Sequence, residues 1–141
     1  MTETFTTHSE EETSAVGRDL APALGAGSVV LLFGDLGAGK TAFVRGLAEG
    51  LGTSPTDVSS PTFTLMQEYR GGRLPLLHVD LYRLDDAREV DDLGLDELGD
   101  GAVVAIEWAG KLPRPPAGAI VVRFEHAGDD VRTISVQSQG P

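Results

Sequence analysis

Eight consecutive residues, Gly34-Asp35-Leu36-Gly37-Ala38-Gly39-Lys40-Thr41, carry the most legible chemistry in this chain and match the pattern G-x-x-x-x-G-K-[ST] in full. Glycines let successive backbone N–H groups curl around a phosphate where a Cβ would obstruct it. A helix that follows offers its unpaired N–H groups and the positive end of its dipole to the same anion. Lys40 has the reach for β- and γ-phosphate oxygens, and the Thr41 hydroxyl can ligate a metal ion. The bland alternative is a glycine-rich strand–helix turn. Composition weighs against it, because only two of the eleven basic residues, Lys40 and Lys111, are lysines.

A phosphate loop needs carboxylates near its metal, commonly at the exit of a neighbouring strand. Asp80 ends the apolar run Leu76-Leu77-His78-Val79, and Glu107 ends Val103-Val104-Ala105-Ile106. In an open α/β sheet, ligands collect beyond the carboxyl ends of the strands, where both acids would converge on the loop. Either acid alone reads as a turn residue or a helix cap; beside a full phosphate loop the pair reads as metal or water ligands. Ser59-Ser60-Pro61-Thr62 offers hydroxyls on a loop, as a γ-phosphate-sensing switch segment would, although Ser and Pro also dominate ordinary turns. His78 reads as a packed core or surface histidine and Trp108 as site wall or core filling.

The elements that must position these residues follow from periodicity. Phe5–Thr7 suits a short edge strand. Ser9 with Glu12 forms a capping box, and Val16, Leu20, Ala23 and Leu24 continue at helical spacing until Pro22 kinks or shortens the helix. The apolar run 28–33 reads as a strand buried on both faces, followed by the glycine turn and a helix from Lys40 to about Leu51. Strands 63–69 and 74–79 flank Arg70-Gly71-Gly72-Arg73 as a β-hairpin. Asp85–Leu98 reads as short helices broken at Gly94, 102–106 as a buried strand, Pro113–Pro116 as an extended connection, and 120–124 with 131–136 as a closing strand pair. The fold class is α/β: a phosphate-loop, three-layer core with a mixed sheet, parallel at its centre, and antiparallel hairpin additions. At 141 residues this is one domain, 1–141, with 1–8 and 137–141 expected to fray.

Composition bounds the function. The net charge of −11 argues against a directly bound nucleic acid. The chain has no cysteine, which removes disulfide and thiolate-metal chemistry. No signal-peptide pattern or membrane-length apolar run is present, so the expected location is the cytoplasm.

Together, Gly34–Thr41, Val58-Ser59-Ser60-Pro61-Thr62-Phe63, His78-Val79-Asp80-Leu81-Tyr82-Arg83 and Ile106-Glu107-Trp108 closely resemble, in order and spacing, the TsaE family. These are small bacterial ATPases required for threonylcarbamoylation of the adenosine beside the anticodon of certain tRNAs. The resemblance runs from about Ser9 to Val136. It implies that the loop residues Gly34, Asp35, Leu36, Gly37, Ala38, Gly39, Lys40 and Thr41 hold ATP, with Mg2+ near Thr41, Glu107 and Asp80. It makes Asp80 the Walker-B-like acid, catalytic together with Lys40 and Glu107. Thr62 would belong to the switch loop and Trp108 would support the site, while Glu10, Thr13 and Arg132 would lie against the adenosine part by position. The implied partners are TsaB and TsaD, with tRNA reached only through them. Two other readings stay open: a small-molecule kinase, although the nine arginines form no lid segment, and a non-hydrolysing nucleotide sensor. GTP also remains open, since adenine has no signature as sharp as N-K-x-D.

Overall fold

The computed structural model describes residues 2–34, 39–53, 66–80, 101–107, 118–128 and 131–138. Its frame is a seven-stranded mixed sheet. In chain order the strands are β1 (Thr2–Thr7), β2 (Val29–Phe33), β3 (Met66–Tyr69), β4 (Leu76–Asp80), β5 (Val103–Glu107), β6 (Ile120–Gly128) and β7 (Val131–Ser138). Two helices, α1 (Glu10–Leu20) and α2 (Lys40–Leu51), and a 3-10 turn, Ala21–Ala23, complete the described elements.

The sheet order is β1-β7-β6-β2-β5-β4-β3. Strands β6, β2, β5 and β4 run parallel to one another; β3, β7 and β1 are added antiparallel. The parallel centre explains the unbroken apolar runs, since such strands are covered on both faces. Every residue of β5 is buried, and so are Val30, Leu31 and Leu32 of β2. Val30 and Leu32 turn toward α2 and share one core with Phe43, Val44, Leu47 and Leu51; Val103, Ala105, Val122 and Phe124 close it. The Phe43 and Phe124 rings meet edge to face at 5.5 Å, the arrangement their quadrupoles favour.

The local signals act as the sequence implies, with informative differences. Ser9 caps α1, its Oγ accepting from the Glu12 amide at 3.1 Å. The returning Glu12 carboxylate, however, accepts from the His8 amide at 2.8 Å rather than from Ser9. Pro22 ends α1 at Leu20 and converts the next three residues to a 3-10 turn, because it cannot supply the N–H that the α-helix needs. The α2 bounds fall where expected, closed by Gly52 in the left-handed conformation. The hairpin's second strand starts only at Leu76; Pro75 precedes it, and its carbonyl accepts from the Val103 amide at 2.9 Å.

The ends expected to fray, 1–8 and 137–141, enter the sheet over residues 2–7 and 137–138. Thr2–Thr7 pairs residue by residue with Gln137–Arg132, and Ser138 pairs with Ile120 of β6. Such pairing spans the length of the chain, so neither segment carries a local signal of it. The readings for 85–98 and 113–116 lie outside the described residues. No helix of the described residues is long and apolar enough to cross a membrane.

Candidate functional site

The site assembles at the carboxyl edge of the parallel strands. Register sets Leu32 of β2 beside Glu107 of β5, and Glu107 beside Asp80 of β4. The chain leaves β2 at Phe33 and α2 follows from Lys40, whose side chain reaches back to Gly34 just past the end of β2.

The two helices start in opposite ways. Helix α1 is capped by Ser9 and carries Glu10, Glu11 and Glu12 in its first turn. Helix α2 starts from Gly39 at φ 102°, with no side-chain cap among the described residues and no acid in its first turn. Its leading N–H groups and positive dipole end are therefore left to an anion. The left-handed backbone at Gly39 disfavours any other residue. A Cβ there would also lie 3.2 Å from the Thr13 methyl carbon.

Lys40 opens α2 and is only 4 % exposed, which is rare for lysine. Its Nζ donates to the Gly34 carbonyl at 2.8 Å, so the ammonium is folded into the mouth of the turn. Thr41 follows, half-buried, on the first turn of the helix. Glu107 is 4 % exposed, and its Oε2 lies 2.6 Å from Nε2 of His78, which is wholly buried. A carboxylate accepts, so that nitrogen carries the proton. Burying a charge costs several kcal/mol or more unless it is paired, and His78 supplies part of the pairing.

A second chain of contacts reaches the turn from the opposite side. Thr13 of α1 is buried and shares a 2.8 Å hydroxyl–hydroxyl hydrogen bond with Thr7. Thr7 stands opposite Arg132 in the β1–β7 ladder, so the two project from one face of the sheet. Two of the three residues expected against the adenosine are thus connected to Gly39: Thr13 directly, and Arg132 through Thr7 and Thr13. Glu10, expected beside them, is exposed in the first turn of α1. Of the remaining expected residues, Asp35, Leu36, Gly37, Ala38, Thr62 and Trp108 lie outside the described residues. Asp80 is placed by its backbone in β4.

Sequence reasoning passed over His78 as a site residue. The signal was its spacing: His78 and Asp80 stand two apart, hence on one face of β4, and Glu107 shares that face on the next strand.

Scaffold and edge together define a mixed α/β protein with a lysine-bearing helix start, uncapped by any described side chain, and two adjacent parallel strands that end in acids. The family model described as "Threonylcarbamoyl adenosine biosynthesis protein TsaE" matches residues 7–134. The chain belongs to this family. It is 46 % identical over 132 residues to the tRNA threonylcarbamoyladenosine biosynthesis protein TsaE of Bacillus subtilis, covering 92 % of this chain and 82 % of that protein. It is 41 % identical over 133 residues to the protein of the same name from Streptomyces coelicolor, covering 89 % of each. The crystal structure of Bacillus subtilis YdiB superimposes with a TM-score of 0.78 at 36 % identity, covering 99 % of this chain and 87 % of that one.

Proposed function

We propose that this chain is a magnesium-dependent ATPase of the phosphate-loop class, a single domain over 1–141, that works in the cytoplasm in N6-threonylcarbamoyladenosine modification of tRNA. It would act through the TsaB–TsaD pair, with tRNA held by those partners. The observation that carries the reading is the uncapped, left-handed Gly39 start of α2, with Lys40 buried beneath it and a register row of strand-end acids beside it. Family membership supports the pathway, since relatives are named tRNA threonylcarbamoyladenosine biosynthesis proteins.

The donor set suits magnesium: the Thr41 hydroxyl and the carboxylates of Glu107 and Asp80 are hard oxygens, and one or two carboxylates beside phosphate oxygens is magnesium's usual protein environment. When bound, the ion would screen the charge of the β- and γ-phosphates. The chain's own groups do the remainder. The loop amides and the start of α2 bind the phosphates, and Lys40 exchanges the Gly34 carbonyl for a phosphate oxygen. Asp80 orients the attacking water. Phosphoryl transfer to water is mostly positioning and charge stabilisation, which fixed amides and an ammonium in a dry site supply without reorganising.

Calorimetric titration with Mg·ATP tests the reading. Lys40→Ala is expected to weaken binding roughly 10- to 100-fold, as the loss of one or two charge-assisted hydrogen bonds would, with the fold preserved. In a reconstituted reaction it should fail to support threonylcarbamoyl transfer. Turnover should be slow alone and faster with TsaB–TsaD, because no internal arginine finger is recognisable in the sequence. Absence of heat with Mg·ATP would refute the reading, and phosphoryl transfer to a small-molecule acceptor would replace it with a kinase.

A further inference from the structure

The His78–Glu107 contact is built in a way that core packing does not require. His78 sits on β4 between Leu76 and Asp80 on the same face, with Leu76 wholly buried in the core. Its register partner on β5 is Ala105, and Glu107 is the partner of Asp80. The 2.6 Å hydrogen bond is therefore a diagonal one, reaching a residue further along toward the strand ends. The other ring nitrogen, Nδ1, is buried and has no hydrogen-bond partner among the described residues. An imidazole in this position gives up the solvation of one nitrogen, and the described structure recovers only the bond to Glu107. An apolar residue of similar volume would fill the space without that loss.

We propose that His78 is the positioning residue of Glu107: its Nε2–H holds Oε2, so that the carboxylate would be presented to a bound metal in one orientation. The proposal rests on the reading of Glu107 as a magnesium ligand. Outer-shell partners of this kind set the orientation of a ligand without touching the metal.

Three substitutions separate positioning from packing. His78→Gln keeps an amide nitrogen where Nε2 stands. His78→Asn keeps polarity but falls short of Glu107. His78→Leu keeps volume and removes the donor. For each, the binding of a fluorescent ATP analogue is titrated with Mg2+ and again in EDTA, alongside thermal unfolding. His78→Leu and His78→Asn are expected to raise the Mg2+ concentration for half-maximal effect by about 10- to 100-fold. Their nucleotide affinity in EDTA should stay near that of the wild type. His78→Gln should restore the Mg2+ response to within a few-fold. In a Glu107→Gln background, His78→Leu should add little.

The proposal is overturned if His78→Leu and His78→Asn keep the wild-type Mg2+ response. It is overturned equally if their loss persists in EDTA or in the Glu107→Gln background. If His78→Leu does not fold, the Gln–Asn pair decides on the same criteria. A wild-type chain that binds nucleotide without any Mg2+ response removes the magnesium reading itself, which is a different result from a responsive wild type with indifferent variants.

Discussion

Gly46 lies in the middle of α2, where propensity alone favours alanine. Replacing a helical glycine by alanine is worth about 1 kcal/mol of stability, and Gly46→Ala would be chosen on those grounds to stabilise the protein. The structure gives the opposite sign. A Cβ built on Gly46 would lie 1.8 Å from the Ser14 carbonyl oxygen, 2.7 Å from its carbon and 3.0 Å from the Arg18 nitrogen. All three are backbone atoms of α1, so no side chain can rotate away. Helix α1 would have to retreat by roughly 1 Å, which a close-packed interface resists. Overpacking of this kind costs about 1–3 kcal/mol, and rigid backbone neighbours place it at the upper end. Against the propensity gain, a net loss of about 2 kcal/mol remains. Thermal unfolding should show a midpoint lower by about 4–8 °C. Gly25→Ala provides the control, since nothing lies within 4 Å of its Cβ, and it should move the midpoint little. A Gly46→Ala protein as stable as the wild type, or more so, would refute the packing account. A displaced α1 also draws Thr13 away from Gly39, so weaker Mg·ATP binding is expected from the same variant.

Thr13→Val keeps the bulk beside Gly39 and removes the hydroxyl, leaving Thr7 Oγ1 buried without its 2.8 Å partner. The expected loss is about 1–3 kcal/mol in urea unfolding; unchanged stability would mean that the pair contributes nothing. Arg73 donates from Nη2 to the carbonyls of Ala21 and Leu24, each at 2.9 Å, and so ties the hairpin turn to the end of the first helical segment. Arg73→Ala should cost about 1.5–3 kcal/mol and speed amide exchange around Leu24. Exchange at the wild-type rate there would argue against the tie.

Much of this fold could be read in advance where the governing physics is local. The strands at 29–33 and 103–107 announce themselves because parallel strands need apolar residues on both faces. Helix α2 is bracketed by a glycine turn and by Gly52, and α1 is opened by a serine cap. The second hairpin strand was expected two residues too early, because Pro75 does not signal where pairing starts; of the first, 63–65 lie outside the described residues. The interhelical contact was invisible. Gly17 and Gly46 look like weak points in their helices, and only the close approach of two backbones gives them a purpose. The site divided in the same manner. That Lys40 and Thr41 open a helix and Glu107 ends a strand was legible from residue type and position, whereas the link from His78 to Glu107 depends on β4 and β5 being neighbours, which is a fact of sheet order. The bridge from Arg132 through Thr7 and Thr13 to Gly39 depends on strands more than a hundred residues apart.

That last bridge has a consequence for how the protein matures. Strand β1 is made first and can find its partner only after β7 has been synthesised, more than a hundred residues later. Until then Thr7 has no fixed place, and Thr13 lacks the neighbour that seats it beneath Gly39. The glycine turn thus receives its final brace from the slowest, most non-local pairing in the sheet. A nascent or partly opened chain would carry Gly39 and Thr13 and still lack their final contact, so whatever this edge binds would report complete assembly late.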